Sequence, residues 1–504
     1  MLAIAWVIAT AVVARAWLLF RTPYVPGVNG AYYLVQARAL LDRGVLGIPD
    51  MPLTFHLHAA LAWALMHWAH LSQATAIVWA VKSCDAVLPP LVGWPVFVLV
   101  RRWARARGQS EAVPLAAAAL TCLASPWFLV VGELQKNSLA MVWLALLAVT
   151  LHAWLRAPTF RRGVAVLAVL CLLGLTHIGV LGTALVLLAI VTMVYVALHR
   201  HRADWRRLLP WVAAGGMLLA ATSAFVMWKY DPSRIHRLIT AFSNPAAFSS
   251  DGRHGPPPSG GSAHTLQWLS WLGFVSVVSP AFVIAWRRRR ALPAADVAVV
   301  VGTALTVVLL TGPWFGQDKA LRFALIALLP AIIVGAFGLL HIKTPWGRHS
   351  VLTATLFVGV GSTAAYLPNG GKAILTDSAM TELQGLAALV ADPRSTLIVA
   401  PHGIEWWSAW FLRTRIAQPD ALTPEDWTRY QRVLLLEVKP GAVVPMIGRG
   451  SPPPGQPRPT EGGEPHAPDD RHGGPPRRDW RIASNVVVLH DGLSLTLIRL
   501  ETPP

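Results

Sequence analysis

The sequence predicts a polytopic α-helical membrane protein with about eleven spans, which ends in a small extracytoplasmic α/β domain. Apolar residues make up 54% of the 504 residues and charged residues only 13%, and the mean hydropathy is +0.50. A water-soluble protein of this length needs more charge on its surface. The cysteines, Cys84, Cys122 and Cys171, all lie in apolar runs and form no paired motif. These features exclude a soluble globular enzyme, a disulfide scaffold and a mostly disordered chain.

Apolar runs of the length that crosses a bilayer, about 17–25 residues, recur from the N-terminus to residue 367. The first run has no basic segment ahead of it and contains Arg15, so we interpret it as an uncleaved span. A turn at 176–179 divides one long run into two. The predicted spans lie near 1–20, 76–100, 112–131, 138–155, 164–179, 181–199, 208–228, 267–286, 293–312, 322–340 and 350–367.

Basic residues give the predicted orientation, because short cytoplasmic loops of membrane proteins are rich in Lys and Arg. Most of them fall in five short loops, at 101–107, 156–162, 200–207, 287–290 and 343–348. We therefore predict a cytoplasmic N-terminus and an extracytoplasmic C-terminal domain, in a protein of the cytoplasmic (inner) membrane. The net charge of +18 then reflects topology. We expect no nucleic-acid partner, because this charge is spread over several loops and the sequence contains no nucleic-acid-binding motif.

A structured first outer loop is predicted over 21–75. Within it, 30–43 has the pattern of an interfacial amphipathic helix. The apolar stretch 53–70 indicates a second helix on the outer face, because counting it as a span would place the first basic loop on the wrong side. This stretch also contains four histidines, which are costly in hydrocarbon.

The sequence changes character after the last predicted span, so we divide it into a membrane module over 1–367 and a C-terminal domain over 368–504. Residues 440–479 are dominated by Pro, Gly and Arg and cannot form a packed core, which predicts a disordered insertion. The remaining pattern predicts helices at 377–391 and 403–412, strands at 395–400 and 433–438, and a closing hairpin at 484–490 and 493–497.

Polar residues at the outer ends of the predicted spans form the candidate site, because polar groups are expensive in lipid and mark function. Asp50 and Glu133 can act as general bases that accept a proton from an acceptor hydroxyl. Cationic side chains can stabilise a departing phosphate, and further polar side chains can contact the substrate. The candidates for these roles are Lys136, Lys319 and Arg322, and then Asn29, Tyr33, Arg38, Asn137, His177 and Asp318.

Most of these candidates also have a purely structural interpretation. Asn29 is suited to capping the helix that follows it, and Asp50 is suited to an interfacial turn. Glu133 and Lys136 are three residues apart and can form an ion pair at a span end. His177 is typical of a turn or of a satisfied interior histidine.

Charged residues elsewhere have similar alternatives. The three charged candidates between 318 and 322 can form an ordinary interfacial salt bridge. Arg15, Lys82 and Asp85 lie inside predicted spans, where we expect snorkelling or internal ion pairs, with Lys82 and Asp85 as one pair.

Two motifs of the first outer loop carry a family resemblance. The first runs from Asn29-Gly30-Ala31-Tyr32-Tyr33 through Ala37-Arg38-Ala39-Leu40-Leu41 to Gly44, and the second is Asp50-Met51-Pro52-Leu53. They resemble the GT-C superfamily of membrane glycosyltransferases, in the branch of protein O-mannosyltransferases and aminoarabinose transferases. In that branch the loop has the form Asp-Glu-x-x-Tyr, Ala-Arg-x-x-Leu and Gly, followed by a Lys-Pro-Pro-Leu-type element. The resemblance covers about 1–200 in motif and about 1–367 in layout.

The chain departs from this pattern at two positions. Asn29 stands where the branch has its first-loop carboxylate, and an amide cannot accept a proton at neutral pH. Asp50 stands where the branch has a basic residue, and Glu133 falls where the branch often has a second acidic residue. Either the acidic role has moved to Asp50 or Glu133, or the chain keeps the scaffold without transfer activity.

The resemblance implies a membrane glycosyltransferase that moves a sugar from a polyprenyl-phosphate donor to an acceptor on the outer face. The acceptor class, whether glycan, lipid or protein, stays open. One alternative is a non-catalytic GT-C-like scaffold. Another is a transporter or flippase of lipid-linked solutes, although the sequence shows no internal repeat of the kind such proteins carry. We expect no cofactor and no metal site, although a divalent metal is compatible with the reaction.

Overall fold

The structure, a computed structural model, describes residues 1–199, 225, 228–230, 261–315, 317–368, 370–439, 441–444 and 486–500. The chain forms two compact units. The first, called here the membrane unit, comprises residues 1–23 and 36–371. The second, called here the C-terminal unit, comprises residues 24–35 and 372–504. A short piece of the predicted first outer loop therefore belongs to the C-terminal unit.

The first half of the helical part contains ten described helices. They are α1 (Leu2–Phe20), α2 (Gly30–Arg43), α3 (Leu53–Trp68), α4 (Gln73–Val87), α5 (Gly93–Arg105), α6 (Ala112–Leu123), α7 (Ser125–Leu129), α8 (Gln135–Arg156), α9 (Phe160–Thr176) and α10 (Ile178–His199). The second half contributes α11 (Gly261–Arg287), α12 (Ala294–Thr311), α13 (Gln317–Leu339) and α14 (Pro345–Tyr366). The predicted helix at 30–43 is confirmed, and the predicted 53–70 helix ends at Trp68.

Eight described helical segments are long and apolar enough to cross a membrane, so the chain is an integral, multi-pass membrane protein. They are Leu2–Phe20, Gln73–Arg105, Ala112–Leu129, Gln135–Arg156, Ile178–Leu198, Thr265–Arg287, Ala294–Thr311 and Lys319–Leu339. The predicted count of eleven is not confirmed. Helix α9 has only 17 residues, and the Gly, Ser and Thr residues of α14 reduce its hydropathy. The predicted span at 208–228 lies outside the described residues, apart from two positions.

Burial distinguishes central spans from peripheral ones. In the most apolar window of each helix, 78% of residues are buried in α12 and 72% in α8, against 17% in α11. Helices α10 and α12 pack closely where Gly302 faces Val191. A Cβ atom added at Gly302 would lie 2.6 Å from Val191 Cγ2. Helix α8 is tied to α12 by His152 Nε2, which lies 2.7 Å from Asp296 Oδ1. Helix α12 is therefore largely buried and packs against α8 and α10 of the first half.

The second span is interrupted at its middle by two prolines. Pro89 and Pro90 lack the amide hydrogen that a continuous helix needs, and residues Pro89–Val92 form a 3₁₀ turn between α4 and α5. Gly93 follows, where a Cβ atom would lie 2.5 Å from Cys122 Sγ. This interruption brings α6 against the turn.

The C-terminal unit is a five-stranded sheet with flanking helices. Its elements are α15 (Asp377–Gly385), β1 (Thr396–Val399), α16 (Ile404–Leu412), β2 (Arg415–Ala417), α17 (Pro424–Arg429), β3 (Arg432–Val438), β4 (Val486–Asp491) and β5 (Leu495–Leu500). The strand order is β2-β1-β3-β5-β4. Strand β1 is parallel to β2 and β3, and the hairpin of β4 and β5 adds antiparallel to β3. The expected strands and hairpin are confirmed, and the short strand β2 was not expected.

Glu382 of α15 fastens the hairpin turn to the rest of the C-terminal unit. Its Oε2 atom accepts a hydrogen bond from Ser494 N–H (2.9 Å), and Oε1 accepts one from Leu495 N–H (3.0 Å). His490 Nε2 lies 3.0 Å from Oε1. Burial raises the pKa of Glu382, but these hydrogen bonds and His490 outweigh it and hold that pKa below its ordinary value of 4.5.

Residues 24–35 pack against helix α16 within the C-terminal unit. Gly27 N–H donates to Lys372 O (3.0 Å). The Tyr24 ring lies 5.6 Å from that of Trp407, and the Tyr32 ring lies 4.8 Å from that of Trp406. Gly403 directly precedes α16 and has a φ of +93°, a backbone conformation that favours glycine.

Candidate active site

The membrane unit contains a largely buried ion pair between Asp50 and Lys136. Lys136 Nζ contacts Asp50 Oδ2, although the two residues are 86 positions apart in the sequence. Their side chains are only 5% and 14% exposed. The other carboxylate oxygen accepts a hydrogen bond from Met51 N–H (2.7 Å), and Lys136 Nζ lies 5.5 Å from the centre of the Phe55 ring. Two predicted candidates therefore meet at one buried position.

The loop that carries Asp50 is held by a single amide side chain. Gln36 is fully buried. Its Oε1 accepts hydrogen bonds from Gly47 N–H (2.9 Å) and Ile48 N–H (3.1 Å), and its Nε2 donates to Ile48 O (2.8 Å). Three bonds from one buried residue fix the backbone two residues before Asp50.

The segment that leads to Lys136 is held by a second buried ion pair. Arg15 Nη2 donates to Asp85 Oδ1 (2.6 Å), and both side chains are buried. Asp85 Oδ2 accepts a hydrogen bond from Gly132 N–H (2.7 Å), and Arg15 Nη1 donates to Trp127 O (2.9 Å). Gly132 has φ +75°, a conformation that glycine adopts at no steric cost. Helices α1 and α4 thus position the break before α8.

Among the described residues, two buried polar side chains that neighbour the pair in the sequence have no hydrogen-bond partner. The Gln135 amide is 2% exposed, and neither of its side-chain atoms has a hydrogen-bond partner in the described part of the chain. Thr54 Oγ1, next to Phe55 in the sequence, is likewise buried and without a partner among described residues. A buried polar group without a partner is costly. These groups are therefore suited to a polar ligand.

Four further candidates belong to the membrane unit. Glu133, Asn137 and Arg38 are half-buried, the first two within three residues of Lys136. His177 ends α9 as a turn residue, and its Nδ1 accepts a hydrogen bond from Val180 N–H (3.2 Å). These four residues stay predictions as substrate contacts.

Two further candidates lie on α13, and two belong to the C-terminal unit. Arg322 is exposed in the first turns of α13, and within the described ranges it has no ion pair with a carboxylate. The Asp318 side chain lies outside the described residues. Asn29 and Tyr33 belong to the C-terminal unit, where Asn29 O accepts a hydrogen bond from Tyr32 N–H (3.1 Å) and Tyr33 is 2% exposed.

Sequence reasoning missed the residues that support the pair. Gln36 carried no signal, since it sits among apolar and basic neighbours of an amphipathic helix. Asp85 was expected to pair with Lys82, three residues away. Lys82 Nζ instead donates to Thr22 O (2.6 Å), and Arg15 takes the carboxylate. The sequence did contain one indication of this pair, because an arginine inside an apolar span needs a buried partner.

Comparison with known proteins identifies the fold of this chain through solved structures alone. No protein-family model and no curated protein matches the chain. Among solved structures, ArnT from Cupriavidus metallidurans bound to undecaprenyl phosphate matches with a TM-score of 0.55 over 99% of this chain and 98% of that chain. The chain has the fold of ArnT. The apo state of ArnT from the same organism matches with a TM-score of 0.53, over 86% of this chain and 92% of that one.

The ArnT fold confirms the predicted fold class, a polytopic α-helical membrane protein with a small C-terminal sheet domain. The identities to the two ArnT structures are only 12% and 13%. At that level the likeness concerns the fold and not the chemistry of individual residues.

Proposed function

We propose that this protein transfers a sugar from a polyprenyl-phosphate donor to an acceptor hydroxyl on the outer face of the membrane. The observation that carries the proposal is the buried pair of Asp50 and Lys136 at the start of a long apolar helix. A carboxylate and an ammonium group are the two charges that this reaction needs. The ArnT fold, seen in a complex of ArnT with undecaprenyl phosphate, supports the donor class.

The pair gives a direct order of events. In the free protein, Lys136 neutralises Asp50. The donor phosphodiester carries one negative charge and competes with Asp50 for the ammonium group of Lys136, which stabilises the charge that the phosphate gains as it departs. Donor binding thereby releases the carboxylate of Asp50 to accept a hydrogen bond from the acceptor hydroxyl.

The transfer step then uses both groups. The acceptor oxygen forms a bond to the anomeric carbon, and the bond from that carbon to the phosphate oxygen breaks. Asp50 takes the hydroxyl proton as general base, and Lys136 stabilises the departing polyprenyl phosphate. A single displacement of this kind inverts the anomeric carbon. Glu133 is the alternative base, and the sugar and the acceptor are not specified by the site.

The test is transfer of label from polyprenyl-phosphate sugars by the purified protein in proteoliposomes. Asp50→Asn should reduce turnover about 10²–10⁴-fold, the usual contribution of a general base. Lys136→Gln should reduce it about 10²–10³-fold. Asp42→Asn and Lys343→Gln make the same changes at exposed residues and should stay within about twofold, as surface substitutions usually do.

Controls separate loss of chemistry from loss of fold. The double variant Asp50→Asn with Lys136→Gln removes both charges of the pair together, so it should elute as the folded protein does and still be inactive. Full turnover in this double variant would refute the assigned roles. Binding of undecaprenyl phosphate by the wild type, with no transfer from any donor, would support a non-catalytic scaffold. The proposal includes no metal ion, so turnover should survive EDTA.

A further inference from the structure

A second polar cluster lies in the C-terminal unit, at the edge where its parallel strands end. Strand β1 leads into His402, and strand β2 leads into Gln418. The carboxyl ends of neighbouring parallel strands meet at one edge, where α/β sheets commonly bind ligands. Gln418 Nε2 and His402 Nδ1 lie 3.1 Å apart there, although the residues are 16 positions apart in the sequence.

Both side chains meet the carboxylate of Glu405 in the first turn of α16. His402 Nδ1 lies 2.9 Å and Gln418 Nε2 lies 3.0 Å from Glu405 Oε1. Glu405 is only 1% exposed. Its other oxygen, Oε2, accepts no hydrogen bond from the described residues. Leaving a buried carboxylate oxygen without a donor is costly, and a bound hydroxyl or amine would supply that donor.

The cluster is open to solvent on one side. The His402 side chain is 48% exposed, and Gln418 is half-buried. Gly403 fixes the loop between β1 and α16, because its φ of +93° is unfavourable for other residues and a Cβ atom would lie 2.5 Å from Val28 Cγ1. The carboxylate therefore lies behind two side chains that are themselves in contact with solvent.

Aromatic rings adjoin the carboxylate. Trp406 follows Glu405 directly and is half-buried against the Tyr32 ring at 4.8 Å. Its indole N–H has no acceptor in the described parts of the chain. A ring with a polar N–H beside a carboxylate, an amide and an imidazole offers both an apolar face and hydrogen-bonding groups. A pyranose or furanose ring needs this combination.

We infer that His402, Glu405, Gln418 and Trp406 form a saccharide-binding site in the C-terminal unit, which holds a sugar residue of the acceptor. The inference rests on the proposed function, since a transferase needs an acceptor with a free hydroxyl. Glu405 accepts hydrogen bonds from sugar hydroxyls, Gln418 and His402 bind neighbouring hydroxyls, and Trp406 contacts the apolar face of the ring. The carboxylate disfavours an anionic ligand such as a phosphate.

The experiment is capture of defined oligosaccharides of mannose, arabinose, galactose and glucose on an array by the full-length protein in detergent. The wild type should retain a subset of them. Glu405→Gln, Gln418→Ala and Trp406→Ala should each weaken that retention about tenfold or more, as loss of a charged hydrogen bond or an aromatic contact does. Glu425→Gln and Trp346→Ala alter exposed residues and should stay within about twofold.

Binding of undecaprenyl phosphate to the same samples, measured by native mass spectrometry, separates this inference from the proposed function. The saccharide site is overturned if the wild type retains no saccharide, or if all three site variants retain saccharides as well as the wild type does. If the same samples still bind the lipid and transfer the sugar, the proposed transferase function stands. Retention that depends on Glu405 in a protein without transfer activity supports the site and overturns the transferase. Gln418 and Trp406 are half-buried, so their variants keep the test valid if Glu405→Gln fails to fold.

Discussion

Replacing Arg15 by Met should destabilise the membrane unit by about 3–5 kcal/mol, the usual result of removing one partner from a buried ion pair. Of its hydrogen bonds within the described part of the chain, the Asp85 carboxylate would keep the one from Gly132 N–H, with its side chain fully buried. The carbonyl groups of Asp85 and Trp127 would also lose the donors that Arg15 now provides at 2.8 and 2.9 Å.

The double variant Arg15→Met with Asp85→Asn should recover part of this loss. The asparagine oxygen still accepts the hydrogen bond from Gly132 N–H, and no charge stays buried. Besides the bond between the two side chains, the carbonyl groups of Asp85 and Trp127 lose their hydrogen bonds from Arg15, at about 1 kcal/mol each. We therefore expect the double variant to lose about 2 kcal/mol, which is 1–3 kcal/mol less than Arg15→Met alone.

Reversible unfolding in mixed micelles of dodecylmaltoside and SDS, followed by circular dichroism, measures these free energies. Amide hydrogen exchange over residues 130–134 reports whether the break before α8 loosens. Arg161→Met removes an exposed arginine and should change the free energy by less than about 0.5 kcal/mol. A loss below 1 kcal/mol in Arg15→Met, or a double variant no more stable than it, would refute this account of the pair.

Three further predictions concern close contacts and pH. Gly302→Ala should lower the free energy of unfolding by about 1–3 kcal/mol in the same assay, because its Cβ would lie 2.8 Å from the Val191 backbone. The control Gly182→Ala adds a Cβ that meets nothing within 4 Å, so it should leave that free energy unchanged. Gly492→Ala would overlap with Glu382 Oε1, so faster amide exchange in the β4–β5 hairpin is expected, and unchanged exchange would contradict the contact. Because the folded-state pKa of Glu382 lies below 4.5, its hydrogen bonds stabilise the hairpin above that pH and are lost as the pH falls through the folded-state value. Hairpin exchange, corrected for intrinsic rates, should therefore rise in acid in the wild type and rise less in Glu382→Gln, where only groups such as Asp491 still titrate.

The sequence predicted the features that depend on local pattern. Apolar runs predicted most spans, amphipathic spacing predicted α2, and the alternating C-terminal segments predicted the hairpin of β4 and β5. Span count was less certain, because the turn between α9 and α10 leaves the first of these helices short. Strand β2 has three residues, which is too short for alternation to be visible.

Pairing between distant residues could not be predicted. Asp50 and Lys136 were both chosen as candidates, but with separate roles, because nothing in a sequence shows that two charges 86 residues apart share a bond. Nearness in sequence favoured Lys82 for Asp85. The structure instead uses Arg15, whose planar group reaches the carboxylate and two carbonyls at once.

The assignment of residues 24–35 to the C-terminal unit has a consequence for biosynthesis. Tyr24 and Tyr32 leave the ribosome long before α16, the helix whose tryptophans they contact. The C-terminal unit can therefore complete its fold only after the intervening spans have been synthesised. A recombinant fragment that starts at residue 372 would lack these rings and the Gly27 hydrogen bond, so a soluble version of this unit requires residues 24–35 to be fused back to it.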